Sequence, residues 1–485
     1  MNMRVLLANL PWISDDERTG LRAGSRWPHV KLRREQLPYY PFPFFLAYAA
    51  AVAREGGHDV TLRDCIADET GGGEFMSQME ALKPDVAVFE TSTPSIGNDL
   101  EWAGRAKELG TTTVLTGPHA TARPREVLGE KCVDYVITHE YENPLLELLN
   151  ALESGGKVGG IKSLGHREGG RPEVNADAPL ADVNAMPYPL REQLPMRRYI
   201  DPFCKHAPNA QMWSSRGCPY QCIYCLEPWV FYGARSYRAR NPESVVDEMQ
   251  HLAEKYGARE VYFDDSSFSV DQDRVLRICG EIEERGLDVC WSCMADAKLR
   301  EDTLEAMKKA GCVAIKFGVE SASPEILRNI NKHVNLDDVR RVVKLCKGMG
   351  IETHATYMFG LPGETKETMR ETMKFAFSLG TDTAQFSVAI PYPGTKFHDM
   401  AEREGWLKAD GWSDYAGQKT VLEYPNLSGE EISGMMHLCR RKIMMKVALN
   451  PRQSLQYLKM IKDYGGTRAL AENVLGKAGY LLGIK

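Results

Sequence analysis

Three cysteines, Cys218, Cys222 and Cys225, fall within the run Arg216-Gly217-Cys218-Pro219-Tyr220-Gln221-Cys222-Ile223-Tyr224-Cys225. Three thiolates so close in sequence can meet at one centre only if the segment loops, and Gly217 and Pro219 suit a loop. Thiolates favour iron–sulfur clusters or zinc. Structural zinc is normally closed by four ligands in CxxC pairs. A 4Fe–4S cluster on three cysteines instead keeps one iron open, free to chelate an amino and a carboxylate group of a bound molecule. Three cysteines in CxxxCxxC spacing, with an aromatic residue before the last, lack the fourth ligand of a closed zinc site and suit such a cluster, with another metal site as the alternative. Cys290-Trp291-Ser292-Cys293 is a rival pair, but positions three apart on a strand face opposite sides, so structural cysteines are expected there.

The elements around this run alternate. Strands are expected at Arg4–Ala8, His58–Leu62, Asp85–Phe89, Thr112–Leu115 and Asp134–Ile137, with helices at Phe44–Arg54, Ile96–Leu109 and Asn143–Leu152. That order predicts an α/β fold with a parallel, doubly wound sheet over 1–152, whose ligands bind at the carboxyl ends of the strands. Residues 153–210, rich in Gly and Pro, read as a linker holding a short hairpin. Alternation resumes over 211–400, with strands at Gln211–Ser215, Glu260–Phe263, Asp288–Ser292, Val313–Phe317, Glu352–Met358 and Thr383–Val388. Helices at Pro242–Lys255 and Lys366–Leu379 fill two of the gaps, and Asn241-Pro242 and Asn335 give helix starts. Six βα units suggest a partial parallel barrel. Residues 401–485 read as mainly helical.

Bulk properties narrow the function. A net charge of −6 over 485 residues gives no support to nucleic-acid binding. The longest apolar run, Tyr39–Ala53, is short of the ~20 residues of a membrane span. The N-terminus lacks the basic start and cleavage site of a secretory signal, so the expected compartment is the cytoplasm. Twelve cysteines, mostly scattered singly, do not form a disulfide framework. Arg440, Arg441, Lys442, Lys446, Arg452, Lys459, Lys462, Arg468, Lys477 and Lys485 make the C-terminus basic. Such a run is either a solvated face or a peripheral membrane contact.

The cysteine run resembles the signature of the radical SAM superfamily, and residues 1–400 resemble its cobalamin-binding class, which includes C-methyltransferases and the anaerobic magnesium-protoporphyrin ester cyclase. The resemblance implies a 4Fe–4S cluster on the three cysteines, S-adenosylmethionine and cobalamin. It implies S-adenosylmethionine contacts from Tyr224, from Asp264 in Phe263-Asp264-Asp265, and from Glu320 and Ser321 in Gly318-Val319-Glu320-Ser321. Gly360 in Gly360-Leu361-Pro362-Gly363-Glu364 and Pro391 in Pro391-Tyr392-Pro393-Gly394-Thr395 complete the set. Asp264 and Asp265 have a plainer reading as helix caps, and Glu320 as a solvated loop carboxylate.

In the Rossmann-like N-terminal domain, the resemblance implies corrinoid contacts from Asn9, from Ser92, Thr93 and Pro94, from Gly117, Pro118 and His119, and from Glu140. The DxHxxG cobalt-ligating motif of cobalamin domains is absent, with Asn9-Leu10-Pro11 standing where it would begin. Cobalamin without a lower histidine ligand is therefore implied. His119 is the substitute ligand to weigh against a hydrogen-bonded loop histidine.

Breaking an unactivated C–H bond is beyond side-chain acids and bases, so the cofactors must do it. Three readings are carried forward. In the first, a deoxyadenosyl radical activates a substrate carbon that takes a methyl group from methylcobalamin. In the second, the enzyme is an oxidative cyclase or forms another C–C bond on a tetrapyrrole or lipid. In the third, the protein is a corrinoid or iron–sulfur carrier or sensor without turnover. A small-molecule substrate and a flavodoxin or ferredoxin reductant are the implied partners.

Overall fold

The computed structural model describes residues 2–12, 18–20, 31–33, 40–201, 203–233, 236–417, 420–451, 454, 455 and 458. Strands β1 (Arg4–Asn9), β2 (Asp59–Asp64), β3 (Val86–Glu90), β4 (Thr112–Thr116) and β5 (Tyr135–Ile137) form a parallel sheet in the order β2-β1-β3-β4-β5. β1 and β3 are apolar on both faces because helices cover both. Helix α1 (Phe44–Glu55) is buried from Phe44 to Ala53, which explains its uniformly apolar sequence. One side of α1 packs on the sheet and on α3 (Glu142–Ser154); the other meets the second half of the chain, where Phe44 stacks on Trp213 with ring centroids 4.2 Å apart. Helix α2 (Ile96–Glu108) lies on the opposite face.

The hairpin expected within 153–210 is present as β6 (Leu164–Glu168) and β7 (Arg171–Val174), turning at Gly169 and Gly170, which have φ of +56° and +83°. It is not free-standing, because β6 pairs antiparallel with β5 and so extends the first sheet to seven strands. Backbone pairing, which apolar periodicity does not register, makes this join.

The second sheet runs β8 (Asn209–Met212), β9 (Glu260–Phe263), β10 (Cys290–Met294), β11 (Cys312–Glu320), β12 (Glu352–Phe359) and β13 (Thr383–Val388), all parallel and in chain order. Among the described residues β13 does not pair with β8, so the barrel is partial, as the six βα units imply. Helices α4 (Pro242–Tyr256), α5 (Gln272–Glu284), α6 (Glu301–Lys309), α7 (Pro324–Asn329), α8 (Leu336–Met349) and α9 (Lys366–Ser378) cover its outside. Asn335 caps α8 by accepting from the Asp337 N–H at 2.8 Å, whereas the Asn241 side chain makes no capping bond. The first barrel strand ends at Met212 rather than Ser215. Asp265 draws the next residues aside, accepting from the Ser214 N–H at 2.7 Å and the Ser215 hydroxyl at 2.7 Å.

The C-terminal region is helical in α10 (Lys396–Arg403) and α11 (Gly429–Ala448). Between them runs an irregular strap with a 3-10 turn at Trp412–Ala416 and isolated bridges Leu407–Leu422 and Tyr424–Leu427. Two of the basic residues dock α11 on the barrel edge: Arg440 donates to the Phe386 carbonyl of β13 at 3.0 Å, and Lys446, though exposed, donates to that of Thr381 just before it at 2.9 Å. Arg452, Lys459, Lys462, Arg468, Lys477 and Lys485 lie outside the described residues. No helix of the described residues is long and apolar enough to cross a membrane.

Candidate active site

The cysteine loop leaves β8 through the short ladder Ser215–Arg216 with Arg238–Ala239. Gly217 then turns at φ +80°, where any Cβ would collide with the Ser236 carbonyl, so glycine alone fits. The loop is braced from the far side of the barrel mouth. The Ile223 N–H donates to the Ile330 carbonyl at 3.1 Å, Asn331 to that of Gln221 at 2.8 Å, and the Phe397 N–H to that of Ile223 at 3.0 Å. The Cys225 N–H closes a turn onto the Cys222 carbonyl at 3.2 Å.

All twelve cysteines are free thiols. Burial, then Glu227, pushes the Cys218 thiol up to about 12, and burial also raises Cys222. Cys225 is raised by burial, Glu227, Cys222 and Cys218 in that order. Three thiols that resist ionising beside one another form a donor set that a polycationic iron cluster would relieve, by replacing their protons. Among the described residues no three Cys, His, Asp or Glu side chains converge tightly enough for a single metal ion. On the rival run, Cys293 is fully buried while Cys290 is partly exposed. Cys293 hydrogen-bonds Cys312, which makes it a packing cysteine as expected.

Next to the cysteines lies a half-buried cation that the sequence reading missed. Lys332 follows α7, with its Nζ 3.8 Å from Glu320. Burial alone would lower its pKa, but Cys222, Glu320, Cys218 and Asp296 outweigh that and hold it charged. No periodicity flags such a residue; its only signal is a cation just past a strand-end carboxylate. Glu320 is 8% exposed and left-handed at φ +67°, which excludes the solvated-loop reading. Its pKa is raised by burial, against Lys332 and a hydrogen bond from the Tyr224 hydroxyl. Glu320, Tyr224, Lys332 and the cysteines therefore form one cluster at the strand ends.

The other barrel motifs divide. Asp264 is buried at the end of β9, and Pro391 lies buried after β13. Neither Asp264 nor Asp265 caps a helix: α5 is capped by Asp271, which accepts from the Arg274 N–H at 2.9 Å. The structure does not bring Ser321 to the cluster. Its hydroxyl accepts from the Ser323 N–H at 3.2 Å and lies 3.3 Å from the Thr372 hydroxyl on α9. Gly360, at φ +86°, donates its N–H to Glu364 at 2.6 Å, as Leu361 does at 3.0 Å, and its carbonyl accepts from the Tyr424 hydroxyl at 2.8 Å.

Burial pushes Glu364 up to about 8, against those two backbone donors. The folded pKa exceeds the unfolded one, so this group's stabilising contribution is complete below pH ~4.5 and lost progressively as pH rises to about 8. Glu364→Gln retains a carbonyl for both N–H groups. Chemical denaturation from pH 4.5 to 8 should show the wild type losing stability, by a few kcal/mol on the order of magnitude, relative to this variant. A constant difference would show that the carboxyl does not carry the shift.

At the first sheet's carboxyl edge, Asn9, Ser92, Thr93, Pro94, Gly117, Pro118 and His119 come together. Gly117, at φ +93°, is confined to glycine because a Cβ would lie 2.5 Å from the Thr91 carbonyl. Ser92 and Ser95 form a capping box, and Thr93 bonds His119 Nδ1 at 3.2 Å. His119 is 1% exposed, edge-on to Trp412 of the strap with centroids 5.1 Å apart. Burial, then Arg123, lowers its pKa to about 4. This is a packed, hydrogen-bonded histidine in the short helix Pro118–Ala122. Asn9 Oδ1 and His119 Nε2 are buried without hydrogen-bond partners, so this edge has polar capacity for a large polar cofactor.

Glu140 is a different matter. Both its oxygens are spent, on Arg216 at 2.9 Å, Arg238 at 2.8 Å and the Ala181 N–H at 2.9 Å. It is buried at the junction of the two halves and leaves no acceptor for a corrinoid, because Arg216 at the root of the cysteine loop needs a buried counter-charge.

Comparison with known proteins bears on the whole chain. The model of the radical SAM superfamily matches residues 214–376, and that of the B12 binding domain matches 31–149. The chain is 31% identical over 415 residues to an uncharacterized methyltransferase of Pyrococcus horikoshii, covering 84% of this chain and 88% of that one. It is 28% identical over 463 residues to the anaerobic magnesium-protoporphyrin IX monomethyl ester cyclase of Cereibacter sphaeroides, covering 90% and 74%. The fold matches the radical S-adenosylmethionine methyltransferase TsrM of Kitasatospora setae with a TM-score of 0.67 at 19% identity, covering 85% and 82%. It also matches the cobalamin-dependent S-adenosylmethionine radical enzyme OxsB with a TM-score of 0.71 at 14% identity, covering 96% and 72%. The chain belongs to the cobalamin-binding radical SAM family, whose cofactors are a 4Fe–4S cluster, S-adenosylmethionine and cobalamin.

Proposed function

We propose that this protein methylates an unactivated carbon of a small molecule. When bound, the cluster and S-adenosylmethionine supply a hydrogen-abstracting radical and cobalamin supplies the methyl group. The chain's own task is to hold one substrate carbon within reach of both and to exclude water. The supporting observation is the buried bridge from Arg216, two residues before Cys218, to Glu140 at 2.9 Å and Glu142 at 2.7 Å. It ties the root of the cysteine loop to the loop following β5, so the two cofactor edges are held in fixed register.

In this reading Cys218, Cys222 and Cys225 hold the cluster. Lys332 neutralises the carboxylate of S-adenosylmethionine, and Glu320, Tyr224, Asp264, Gly360 and Pro391 line the rest of that cofactor's site. Asn9, Ser92, Thr93, Pro94, Gly117 and Pro118 cradle the corrinoid, with His119 behind them supporting the loop through Thr93. The reductant is a flavodoxin or ferredoxin. The similarity to a cyclase over 463 residues keeps oxidative cyclisation as the second reading.

Anaerobic holoenzyme, reduced and given methyl-labelled S-adenosylmethionine, separates the readings. Label should pass into the corrinoid fraction, and deoxyadenosine should be released. Deoxyadenosine without label in the corrinoid would favour the cyclase, and neither product would leave a carrier or sensor.

A further inference from the structure

The barrel's inner face holds a cation that the cofactors do not account for. On β11, Ile315 and Phe317 face the helices in the main core, and alternation turns Ala314 and Lys316 inward. Lys316 is 9% exposed and lies over the rings of Phe203 and Tyr262, at 5.1 and 5.4 Å from their centroids. Nearby lysines have carboxylates: Lys205 pairs with Glu352, and Lys332 with Glu320. Among the described residues Lys316 has none.

Its register neighbour on β12 is His354. The Nδ1 of His354 bonds the Thr383 hydroxyl at 2.8 Å, while Nε2 is buried without a hydrogen-bond partner. Burial, then Lys316 and Lys205, keep this imidazole neutral. Glu260, a floor carboxylate of that strand layer, is already engaged by the Lys205 and His206 N–H groups, at 2.6 and 2.8 Å, and by the Ser292 hydroxyl at 2.6 Å.

A lysine side chain held inside the barrel against two aromatic rings, with no carboxylate beside it among the described residues and an unpartnered imidazole nitrogen on the next strand, offers two donors to an anion. We propose that Lys316 and His354 form a subsite for a carboxylate of the substrate, inside the barrel and below the cofactors. Lys316 precedes Glu320 by four residues, or ~13 Å along the strand. The substrate class is therefore a carboxylic acid whose charged group lies roughly 10 Å from the carbon that reacts at the strand ends. This rests on the methylation reading only in taking the strand ends as the place of reaction.

The probe is benzoate, an aromatic carboxylate suited to Phe203 and Tyr262, compared with neutral benzamide by equilibrium dialysis on reconstituted full-length holoenzyme. Crystals soaked in 4-bromobenzoate would locate the bromine. Benzoate should bind at least tenfold more tightly than benzamide. Lys316→Met should lose that preference and Lys316→Arg should keep it, with iron, sulfide and corrinoid contents unchanged in each. Should Lys316→Met fail to hold its cofactors, Lys316→Gln carries the comparison. Equal binding of acid and amide, or a preference that survives loss of the charge, would overturn the subsite. Methyl transfer without benzoate binding would remove the subsite alone; benzoate binding without methyl transfer would remove only the methylation reading.

Discussion

Replacing Cys218, Cys222 or Cys225 singly by alanine should abolish the reduced-cluster signal in electron paramagnetic resonance and cut deoxyadenosine release by at least about 10³-fold, ~4 kcal/mol of barrier. The size of the effect follows from the ligand count. Three thiols must hold an iron cube with one corner left for S-adenosylmethionine, so no spare ligand exists among them. Another cysteine cannot step in: Cys293 is sealed in packing against Cys312, and Cys290 points the other way from the same strand. The loop is also fixed in place by Gly217 and by the backbone bonds to Ile330 and Phe397, so it cannot slide to recruit one. Cys290→Ala is the matched control and should keep both signal and product. A cluster signal surviving in any of the three variants would mean that the iron is held elsewhere.

The order of elements was readable because buried strands and half-buried helices leave different periods in the sequence. All six barrel strands and five parallel strands of the first sheet lie where the pattern puts them, within a few residues. The cysteine loop was readable because metal ligation constrains residue type and spacing together. What the sequence did not disclose are side chains whose meaning depends on contacts across the fold. Glu140 follows a strand of the corrinoid half and so resembles a cofactor contact, yet Arg216, seventy-six residues away in sequence, claims it. Ser321 sits in a recognisable strand-end motif, but its hydroxyl is used by Ser323 and Thr372. Lys332 belongs to no periodic pattern, and the bonds of Ile330 and Asn331 to the cysteine loop bring it beside the thiols. The described parts of the strap between α10 and α11 were hidden for a related reason: Trp412 packs on His119 and the Tyr424 hydroxyl donates to the Gly360 carbonyl, contacts that no backbone periodicity signals.

Arg216→Met should destabilise the folded chain by about 3–5 kcal/mol, the cost of stranding a buried charge when its partner is removed. The Arg216 side chain is 3% exposed, and those of Glu140 and Glu142 are 4% and 0%. The guanidinium also lies over Tyr48 at 4.6 Å and Trp213 at 5.0 Å, so methionine would retain some packing while losing the charge. The two carboxylates then fare differently. Glu140 keeps Arg238 at 2.8 Å, whereas Glu142, already raised by burial, loses the cation that opposes the shift. Adding Glu142→Gln to Arg216→Met should therefore recover part of the loss in urea unfolding, while the same change in the wild type should cost stability. That reversal of sign separates a charge effect from a packing effect, since a cavity would respond the same way to both backgrounds. Because the bridge joins the cysteine loop to the first sheet, the loss should also appear as faster proteolysis between residues 153 and 210. If Arg216→Met matched the wild type in both assays, the bridge would not be what holds the two halves together, and contacts such as Glu140–Arg238 and the rings around Trp213 would suffice.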